Sequence, residues 1–432
     1  MNRSLDRRMN RGQPMAAVES EGPMPVSIER ILCIASEEKG QEFLRQCAGM
    51  GVRPNLLTLE RLRDADWPRD VLEDLTTMPS GLTREQIMNT VSWMARSKSY
   101  DRIVALDEYD LETAAQLREH MRIPGMGTTT AGCYRDKLAM RVIARAFGYP
   151  VPEFCRVLNY DELRDYMHRV RPPWLLKPRS EASAVGIRRI DDQEQLWRVL
   201  DDLGDLQSHH ILDEFVPGDL FHVDSIVNDR DVKFSVVHQY GRPPMNLMHA
   251  GGIFAIQTVD RASLDWKELT AMNRGVAPLL GMVRGLTHAE FVRSHADGHY
   301  YFLEVAANIG NSLIPDVVKA ASGISLMREW ARLEVADLRG QPYTLPEAFE
   351  SYAGLVQCLS LAGEPHTDGF DDAEIIARIK KPHQAGVIVH SDRPERVKQL
   401  LDEFSQKFTD QLMTHLPERH SLEDPGGRWS EA

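Results

Sequence analysis

The sequence predicts a mixed α/β protein in which a parallel sheet covered by helices is followed by a larger α+β region. Between residues 29 and 126, short apolar runs at 31–35, 56–59 and 103–106 alternate with helix-like segments such as 84–97. Strand–helix alternation of this kind is typical of a parallel sheet with helices packed on it. Beyond residue 170 several strand-like runs follow one another, and the length of 432 residues allows two or three domains.

Composition and charge indicate a globular, acidic protein. Hydrophobic residues make up 42% of the chain, and 51 Lys and Arg face 64 Asp and Glu, for a net charge of −13. That charge disfavours unspecific binding to nucleic acid or to anionic membranes, although a small anion in a locally basic cleft is compatible with it. No apolar run reaches the ~20 residues that a membrane span needs. Five scattered cysteines without a C-x-x-C motif favour a reducing cytoplasm.

The placement of glycine and proline residues and the changes in composition along the chain suggest five regions. We expect a disordered tail at 1–28, without the apolar segment of a secretory signal, and a Rossmann-like module at 29–131. The turn after its first strand reads SEEKGQ, so it lacks the G-x-G-x-x-G loop that holds a dinucleotide. A central domain at 132–340 with a lid at about 150–215, a small C-terminal α/β region at 341–420 and a disordered tail at 421–432 complete the division.

The secondary structure within the later regions follows from apolar periodicity and from glycine and proline stops. The expected helices cover 134–147, 161–170, 192–203, 315–336 with a break at Gly323, and 394–412. The expected strands are 174–178, 186–190, three runs between 211 and 238, a pair around Asp297-Gly298, 352–359 and 386–390.

The pair around Asp297-Gly298 carries two acidic side chains, Glu290 and Glu304. A three-residue loop at 296–298 would make them direct neighbours on one face of a hairpin, with Cβ atoms ~5 Å apart. The opposite face would then carry the core side chains Ala289, Phe291, Tyr301, Leu303 and Val305. Two opposed carboxylates repel unless a cation lies between them, and Mg²⁺ is the natural candidate. The alternative is a pair of solvated glutamates on an exposed face.

Two lysines stand in positions that suit phosphate. Lys177 ends the apolar run WLLKP and precedes the small-residue loop SEASAVG. A lysine there is costly to bury without an anion, and small side chains let backbone N–H groups approach a ligand. An ordinary hairpin loop is the alternative for this segment. Lys137 lies in a basic helix, where a solvated surface lysine is the alternative.

The segment ILDEFVPGDLFHVD places Asp213 and Glu214 between apolar residues, followed by Pro217 and Gly218. Such a strand can offer backbone groups to a purine edge and a carboxylate to a ribose. An edge strand with protective acidic residues is the alternative.

In their order and spacing these features resemble the ATP-grasp superfamily, nearest to its biotin carboxylase, carbamoyl-phosphate synthase and L-amino acid ligase branches. The resemblance covers about residues 29–340 and rests on LLKPRSEASAVGI, LDEFVPGDLFHVD and the pair HAEF and FLEVAANIG. It implies an ATP-grasp fold, an N-terminal Rossmann-like domain before it, and ATP with Mg²⁺ or Mn²⁺ as cofactors. Homodimers are common in the superfamily.

The resemblance also implies roles for individual residues. Lys137 and Lys177 would contact the phosphates or the adenine of ATP, under a flexible loop that contains Ser183. Residues 213–216 would form the adenine hinge, and two further positions would lie near the sugar and phosphates. The nucleotide-binding set is therefore Lys137, Lys177, Ser183, Asp213, Glu214, Val216, His222 and Asp224. Glu290 and Glu304 would hold the metal between the nucleotide phosphates.

One part of the pattern departs from the superfamily. The second acidic segment of the superfamily often reads E-x-N-x-R. In this chain Ala306 occupies the position of the Asn, and Asn308 occupies the position of the Arg. A neutral amide cannot replace a bidentate cation. Asn308 or Asn311 could instead offer a carbonyl to the metal, so Asn308 joins Lys177 as a catalytic candidate and the two glutamates as a metal candidate. The missing charge could come from Arg274, Arg284 or Arg293, although the hairpin register points Arg293 to the face opposite Glu290.

The resemblance implies an enzyme, an ADP-forming carbon–nitrogen ligase acting on a small carboxylate and a small amine. The carboxylate becomes an acyl phosphate, and the amine displaces phosphate. Two alternatives stay open: an enzyme that activates bicarbonate for carboxylation or carbamoylation, and a nucleotide-binding protein that has lost turnover. We expect no nucleic acid or membrane partner.

Overall fold

The computed structural model describes residues 28–182, 184–241, 252–310, 313–360, 362–363, 365, 367, 369–379 and 381–412. Both expected tails therefore lie outside the described residues, apart from Ile28. The described residues form three sheets, of four, eight and four strands. No helix among them is long and apolar enough to cross a membrane.

The first sheet is parallel, as the strand–helix alternation predicts. Its order is β3-β2-β1-β4, with β1 paired to both β2 and β4. The strands are β1 (Arg30–Ala35), β2 (Arg53–Leu59), β3 (Asp74–Met78) and β4 (Arg102–Ala105), and the helices on it are α1 (Gln41–Gly49), α2 (Arg84–Met94) and α3 (Leu111–Met121). β1 and β2 are buried almost throughout, because helices cover both faces of such a sheet. The edge strand β3, with the sequence DLTTM, gives no comparable apolar signal.

The second sheet is a small antiparallel layer with the order β5-β8-β6-β7. Its strands are β5 (Phe154–Arg156), β6 (Trp174–Pro178), β7 (Arg188–Ile190) and β8 (His210–Glu214); α4 (Thr128–Cys133) and α5 (Lys137–Ala146) precede it, and α6 (Tyr160–Arg169) and α7 (Gln193–Leu203) pack on it. Asn159 and Asp192 cap the last two helices by accepting bonds from backbone N–H groups. We call this layer the lid sheet.

The third sheet has eight antiparallel strands in the order β13-β12-β9-β10-β11-β14-β16-β15. The strands are β9 (Gly218–Asn228), β10 (Asp231–Tyr240), β11 (Phe254–Thr258), β12 (Arg284–Ser294), β13 (Tyr300–Ala306), β14 (Tyr352–Leu359), β15 (Ile375–Arg378) and β16 (Gln384–Ser391), and the helices are α8 (Leu264–Leu279), α9 (Ile314–Ser322), α10 (Leu326–Leu338) and α11 (Pro394–Gln411). We call it the large sheet. Its last three strands come from beyond residue 341, so the C-terminal region continues the central sheet.

The β12–β13 hairpin brings Glu290 opposite Glu304, as predicted, but by a different local route. Its loop has four residues, because Ser294 N–H donates to the carbonyl of His299. The loop is one residue longer than predicted, which shifts the strand pairing next to the turn by one position. A bulge between Phe302 and Glu304 reverses this shift, so the predicted pairing holds from Glu304 onwards.

The structure differs in part from the core face that the sequence predicts for this hairpin. Ala289, Phe291 and Val305 are buried in the core as expected, with Tyr300 and Phe302 beside them. The prediction that Tyr301 and Leu303 face the core was wrong. The four-residue loop shifts the part of β13 next to the turn by one position, so both side chains face away from the core.

The parallel module shares a hydrophobic core with the large sheet through α10. Phe43 of α1 packs edge-on against Trp330 of α10, with ring centroids 5.0 Å apart. About two turns further along α10, Arg102 of β4 and Arg284 of β12 both bind the carboxylate of Asp337. The two regions therefore meet through packed apolar side chains as well as ion pairs.

Candidate active site

A cavity of about 680 Å³ lies where the three sheets meet. Lys177 and Ala184 line it from the lid sheet and the loop that follows β6. Glu290 and Glu304 line it from the large sheet, and Glu108 lines it from the carboxyl end of the parallel sheet. Ligands often gather at that end of parallel strands. The cavity thus collects the acidic pair and both predicted lysines in one place.

The acidic pair is held by specific neighbours. Glu290 Oε1 accepts a hydrogen bond of 2.8 Å from the Tyr240 hydroxyl and lies 3.6 Å from Nε2 of His288. Burial alone would raise the pKa of Glu290, but the hydrogen bonds and charge of His288 outweigh that effect and lower it. Glu304 Oε2 lies 3.2 Å from the ammonium of Lys137. Two charged carboxylates on one face suit a hard divalent cation such as Mg²⁺.

Lys177 is positioned by a buried carboxylate. Its ammonium lies 2.8 Å from Asp213 Oδ2, and the guanidinium of Arg141 lies 2.9 Å from the same oxygen. Asp213 is only 1% exposed and does not line the cavity. Burial raises the pKa of Asp213, but Arg141 and Lys177 more than offset this and lower it. Asp213 therefore acts as the counter-ion of Lys177, while Glu214 and Val216 from the same segment do line the cavity.

Lys137 is buried at the start of α5, and the alternative of a solvated surface lysine does not hold. Its ammonium donates a 2.5 Å bond to the backbone carbonyl of Glu181 in the loop after β6. The helix begins at this point because Asp136 caps it by accepting from the N–H of Leu138. Lys137 thus connects the lid loop to Glu304.

His222 and Asp224 are fully buried behind the cavity wall. Asp224 accepts from Nδ1 of His222 and from Nδ1 of His288, each at 2.8 Å. The ligand atoms of these three residues lie within 4.8 Å of one another, but the contacts they make are hydrogen bonds. The predicted roles near the sugar and phosphates would need direct access, which neither buried side chain has.

The charges of this buried cluster follow from its geometry. Burial raises the pKa of Asp224, but the histidines hold it well below its usual range. Burial lowers the pKa of His222 to about 4, so that imidazole is neutral. Burial would also lower the pKa of His288, but Asp224 and Glu290 raise it to about 10. His288 is therefore a cation that lies between Asp224 and Glu290.

Asn308 is not among the residues that line the cavity. It is 2% exposed, its amide nitrogen donates to the carbonyl of Leu106 at 3.2 Å, and its amide oxygen accepts from the N–H of Ile309 at 2.7 Å. Its side chain is therefore directed at the backbone of Leu106 and Ile309 rather than into the cavity. The geometry thus gives no support to the catalytic and metal roles predicted for Asn308.

The arginines considered as replacements for the missing cation lie elsewhere. Arg293 binds Asp219 and Asp265, Arg284 binds Asp337, and Arg274 is exposed on α8. Ser183 and Asn311, which the sequence also suggested, lie outside the described residues.

Sequence reasoning missed several residues that shape the site. His288 stands two positions before Glu290 on the same strand, so alternation alone could have placed both on one face. Tyr240 and Arg141 gave no such signal, because they are brought in from strand β10 and helix α5. Lys39, in the loop after β1, contacts the segment after Asn308 and was also missed.

Comparison with known proteins agrees with the resemblance seen in the sequence. The chain is 26% identical over 243 residues to an L-arginine-specific L-amino acid ligase of Bacillus subtilis, covering 55% of this chain and 58% of that protein. It is 29% identical over 94 residues to D-alanine–D-alanine ligase of Neisseria gonorrhoeae, covering 22% of this chain and 31% of that protein. The chain thus spans less than two thirds of these curated relatives. No family model matches it.

Solved structures show the same fold. An L-amino acid ligase from Bacillus licheniformis superposes with a TM-score of 0.69 at 17% identity, over 90% of this chain and 98% of that one. N5-carboxyaminoimidazole ribonucleotide synthetase from Thermus thermophilus superposes with a TM-score of 0.67 at 18% identity, over 90% of this chain and 99% of that one. The solved structure from Bacillus licheniformis and both relatives in sequence are named as ligases that act on amino acids.

Proposed function

Because the chain has the ATP-grasp fold and its relatives in sequence are ATP-grasp ligases, we propose that it is an ATP- and Mg²⁺-dependent ligase. It joins a carboxylate to an amine and releases ADP and phosphate. The observation that carries this proposal is the opposed pair Glu290 and Glu304 in a cavity that also contains Lys137 and Lys177. Carboxylates that hold a metal and lysines that face phosphate together suit phosphoryl transfer.

The residues present fit the implied metal. Glu290 and Glu304 would hold Mg²⁺, or Mn²⁺, which would neutralise charge on the nucleotide phosphates. Lys177, kept in place by Asp213, and Lys137, kept in place by Glu304 and the lid loop, would face those phosphates. Glu214 and Val216 remain the proposed hinge for the adenine, since both line the cavity.

The reaction balances in two steps. A carboxylate oxygen bonds to the γ-phosphorus while the bond from that phosphorus to the ADP oxygen breaks, and ADP leaves with the electron pair. The amine nitrogen then bonds to the carbonyl carbon, phosphate leaves, and the nitrogen loses a proton to solvent. An acyl phosphate must be kept from water, and the loop after β6, which lines the cavity at Ala182 and Ala184, is suited to cover it.

The lining away from the lid combines apolar and polar side chains. Phe254, Ile309, Ile314 and Leu359 line the cavity, and so do Gln357, Gln384 and Lys381. We therefore propose a small amino acid as the carboxylate, and this lining sets no preference for an apolar over an acidic side chain. Glu108 also lines the cavity, and its carboxylate is bound by the guanidinium of Arg135.

The test is release of phosphate from Mg-ATP with a panel of amino acids, alone and in pairs. We expect turnover with at least one amino acid or pair of amino acids, and a loss of about 100-fold or more in Glu290→Gln and Glu304→Gln. Glu162→Gln, in a surface pair with Arg156, is the matched control and should behave as wild type.

Three results would contradict the proposal. Full turnover in Glu304→Gln would remove that residue from the site. Release that depends on bicarbonate alone would favour a carboxylating or carbamoylating enzyme. Binding of nucleotide without release for any acid would indicate a protein that has lost turnover.

The setting of the protein is also a proposal. The five cysteines are free, and four of them are buried. Unpaired thiols agree with a reducing cytoplasm. The relatives in sequence are named as ligases of amino acids, which supports small-molecule substrates. Dimerisation, which is common in the superfamily, would be tested by light scattering.

A further inference from the structure

The end of the cavity away from the lid is built by the C-terminal strands of the large sheet. Gln357 and Leu359 line it from β14, and Gln384 lines it from β16. Gln357 pairs with Phe254 of β11, and Leu359 pairs with Gln384, so these side chains share one face. The pairings across β12, β9, β10 and β11 show that this is also the face of Glu290.

A tight turn places Lys381 at this end of the cavity. The turn lies just before β16, and the carbonyl of Lys381 accepts a hydrogen bond from the N–H of Gln384. Pro382 stands at the first central position and His383 at the second, where its φ of 58° has the sign that a type II turn requires. Ser360 N–H stabilises the turn by donating to the carbonyl of His383. The backbone thus holds Lys381 next to Gln384, and both residues line the cavity.

Lys381 differs from the other two lysines of the cavity in its charge partners. Lys137 lies against Glu304, and Lys177 lies against Asp213. Lys381 is exposed, and its ammonium has no ion-pair partner in the described part of the chain. The described lining takes its acidic side chains from the parallel module, from the lid sheet with its loop and from the β12–β13 hairpin, and none from β14 or β16. This end of the cavity therefore offers a positive charge to a ligand.

The position of Lys381 in the sheet decides which substrate can reach it. Three strands stand between β12 and β14, so these two lie ~19 Å apart along the sheet at ~4.8 Å per strand. A single extended amino acid adds only ~3.5 Å of length. A carboxylate that accepts a phosphoryl group beside Glu290 and Glu304 therefore stays nearer to them than to Lys381. The amine approaches from the side away from the nucleotide, which is the side of β14 and β16.

We propose that Lys381, with Gln384 beside it, binds the negative charge that an amino acid carries when it acts as the amine, namely its α-carboxylate. This inference rests on the proposed ligase activity and assigns a residue that selects the second substrate. An ammonium binds a carboxylate through a charge-assisted hydrogen bond, and the glutamine amide adds N–H donors. Lys381 stays an ammonium and transfers no proton. Its contact directs the amine nitrogen towards the acyl carbon.

The test measures amide formation with pairs of amines that differ only in this charge. L-alanine and L-alaninamide are the first pair, and the other amino acids of the panel follow with their carboxamides. We expect Lys381→Gln to lower kcat/KM for the amino acid about 10-fold, through a higher KM, and to leave kcat/KM for the carboxamide within about twofold. Each variant is compared with wild type on the same amine, so the different basicities of the two amines cancel.

Two further variants serve as controls. Lys381→Arg keeps the charge and should stay within about threefold of wild type with the amino acid. Lys398→Gln is the matched control, because Lys398 is an exposed lysine of the same region that does not line the cavity, and it should behave as wild type. The Kd for Mg-ADP, measured by calorimetry, should stay within about twofold of wild type in Lys381→Gln, since the nucleotide lies at the other end of the cavity.

Several results would overturn the role of Lys381. An unchanged KM for the amino acid in Lys381→Gln would show that this lysine stays in solvent, and an equal loss with the carboxamide would show a general effect on the site. A raised KM for the carboxylate substrate instead would place Lys381 at the first substrate. A wild-type protein that uses carboxamides as well as amino acids would show that the charge is not recognised. If wild type releases no phosphate with any acid and amine, the ligase proposal itself fails, which is distinguishable from failure of Lys381 in an active enzyme.

Discussion

At the scale of single residues, the carboxylate of Asp213 decides where Lys177 points. Two cations, Lys177 and Arg141, share its Oδ2 atom in a buried setting. Removing one member of such a group leaves the others buried without a counter-charge, which costs more than the ion pair contributes. The residue that the sequence suggested for the ribose is thus better explained as support for the lysine.

The first prediction concerns this buried group. Asp213→Asn should lower the free energy of unfolding by about 3–5 kcal/mol, because Lys177 and Arg141 lose their shared charge. Urea unfolding followed by circular dichroism measures this. Asp161→Asn is the matched control, since its pair with Arg164 leaves Asp161 88% exposed, and it should change stability by less than about 0.5 kcal/mol. Equal effects of the two variants would contradict the role given to Asp213.

At the scale of elements, the contact between β9 and β12 depends on a glycine. Gly218 opens β9 opposite Ser294, and a Cβ atom there would lie 2.2 Å from the backbone carbonyl oxygen of Arg293. A backbone atom cannot move away as the end of a flexible side chain can. The strand that carries the buried His222–Asp224 pair can therefore begin here only with glycine.

The second prediction follows from that close approach. Gly218→Ala should destabilise the protein by about 1–3 kcal/mol, because the strands must separate locally. Gly49→Ala, in the last turn of α1 with open space around it, is the control and should be neutral or stabilising by up to about 1 kcal/mol. Thermal melting of the two variants tests the difference, and a Gly218→Ala protein as stable as wild type would refute the argument.

Glu73 connects the amino-terminal ends of the neighbouring strands β1, β2 and β3. Its carboxylate accepts hydrogen bonds from the side chains of Arg30, Arg53 and Asn55. Desolvation raises the pKa of Glu73, but these bonds outweigh it and lower the pKa to about 2. Since the pKa in the folded state lies below the unfolded value of 4.5, the group stabilises the fold above pH 4.5.

The third prediction is the loss of that contribution with acid. The difference in unfolding free energy between wild type and Glu73→Gln should be on the order of 1 kcal/mol near pH 6 and should shrink as the pH falls from 4.5 towards 2. Urea titrations at a series of pH values measure it. Glu60→Gln, in the exposed pair with Arg63, is the control. A difference that grows as the pH falls would have the wrong sign for this account.

At the scale of the whole molecule, the parallel module and the large sheet share one core. Phe43 and Trp330 meet across the junction, and the buried cluster around them includes residues from both regions. The cavity requires this junction to stay closed, because Glu108 lines it from the parallel module and Glu290 lines it from the large sheet. We therefore expect the two regions to unfold together.

The fourth prediction is a single cooperative transition in calorimetry that includes both regions. Trp330→Ala should lower its midpoint and cost about 3–5 kcal/mol, because a large buried side chain is lost. Trp93→Ala is the control, since Trp93 is 64% exposed on α2. Two resolved transitions in wild type, with Trp330→Ala affecting only one, would show that the regions are energetically independent.

The sequence alone settled those features that depend on neighbours along the chain. Apolar periodicity located most helices and strands, although β3, β5, β11, β15, α4 and α8 gave no signal that was recognised. The Asp297-Gly298 turn and the alternation of side chains put Glu290 and Glu304 on one face, and a bulge corrected the one-residue error in the loop. Order and spacing were sufficient for the resemblance to the superfamily, because the motifs that carry it are local.

The tertiary structure decided which charges meet. Lys177 with Asp213 and Arg141, His288 with Asp224, and Lys39 with the carbonyl of Ile309 join segments that are far apart in the chain. Nothing local to Asp213 distinguishes a ribose ligand from a buried counter-ion, and nothing local to Lys39 indicates its bond to the Ile309 carbonyl. Such pairings are fixed only when the sheets pack, because burial then makes an uncompensated charge costly and selects the partner that removes that cost.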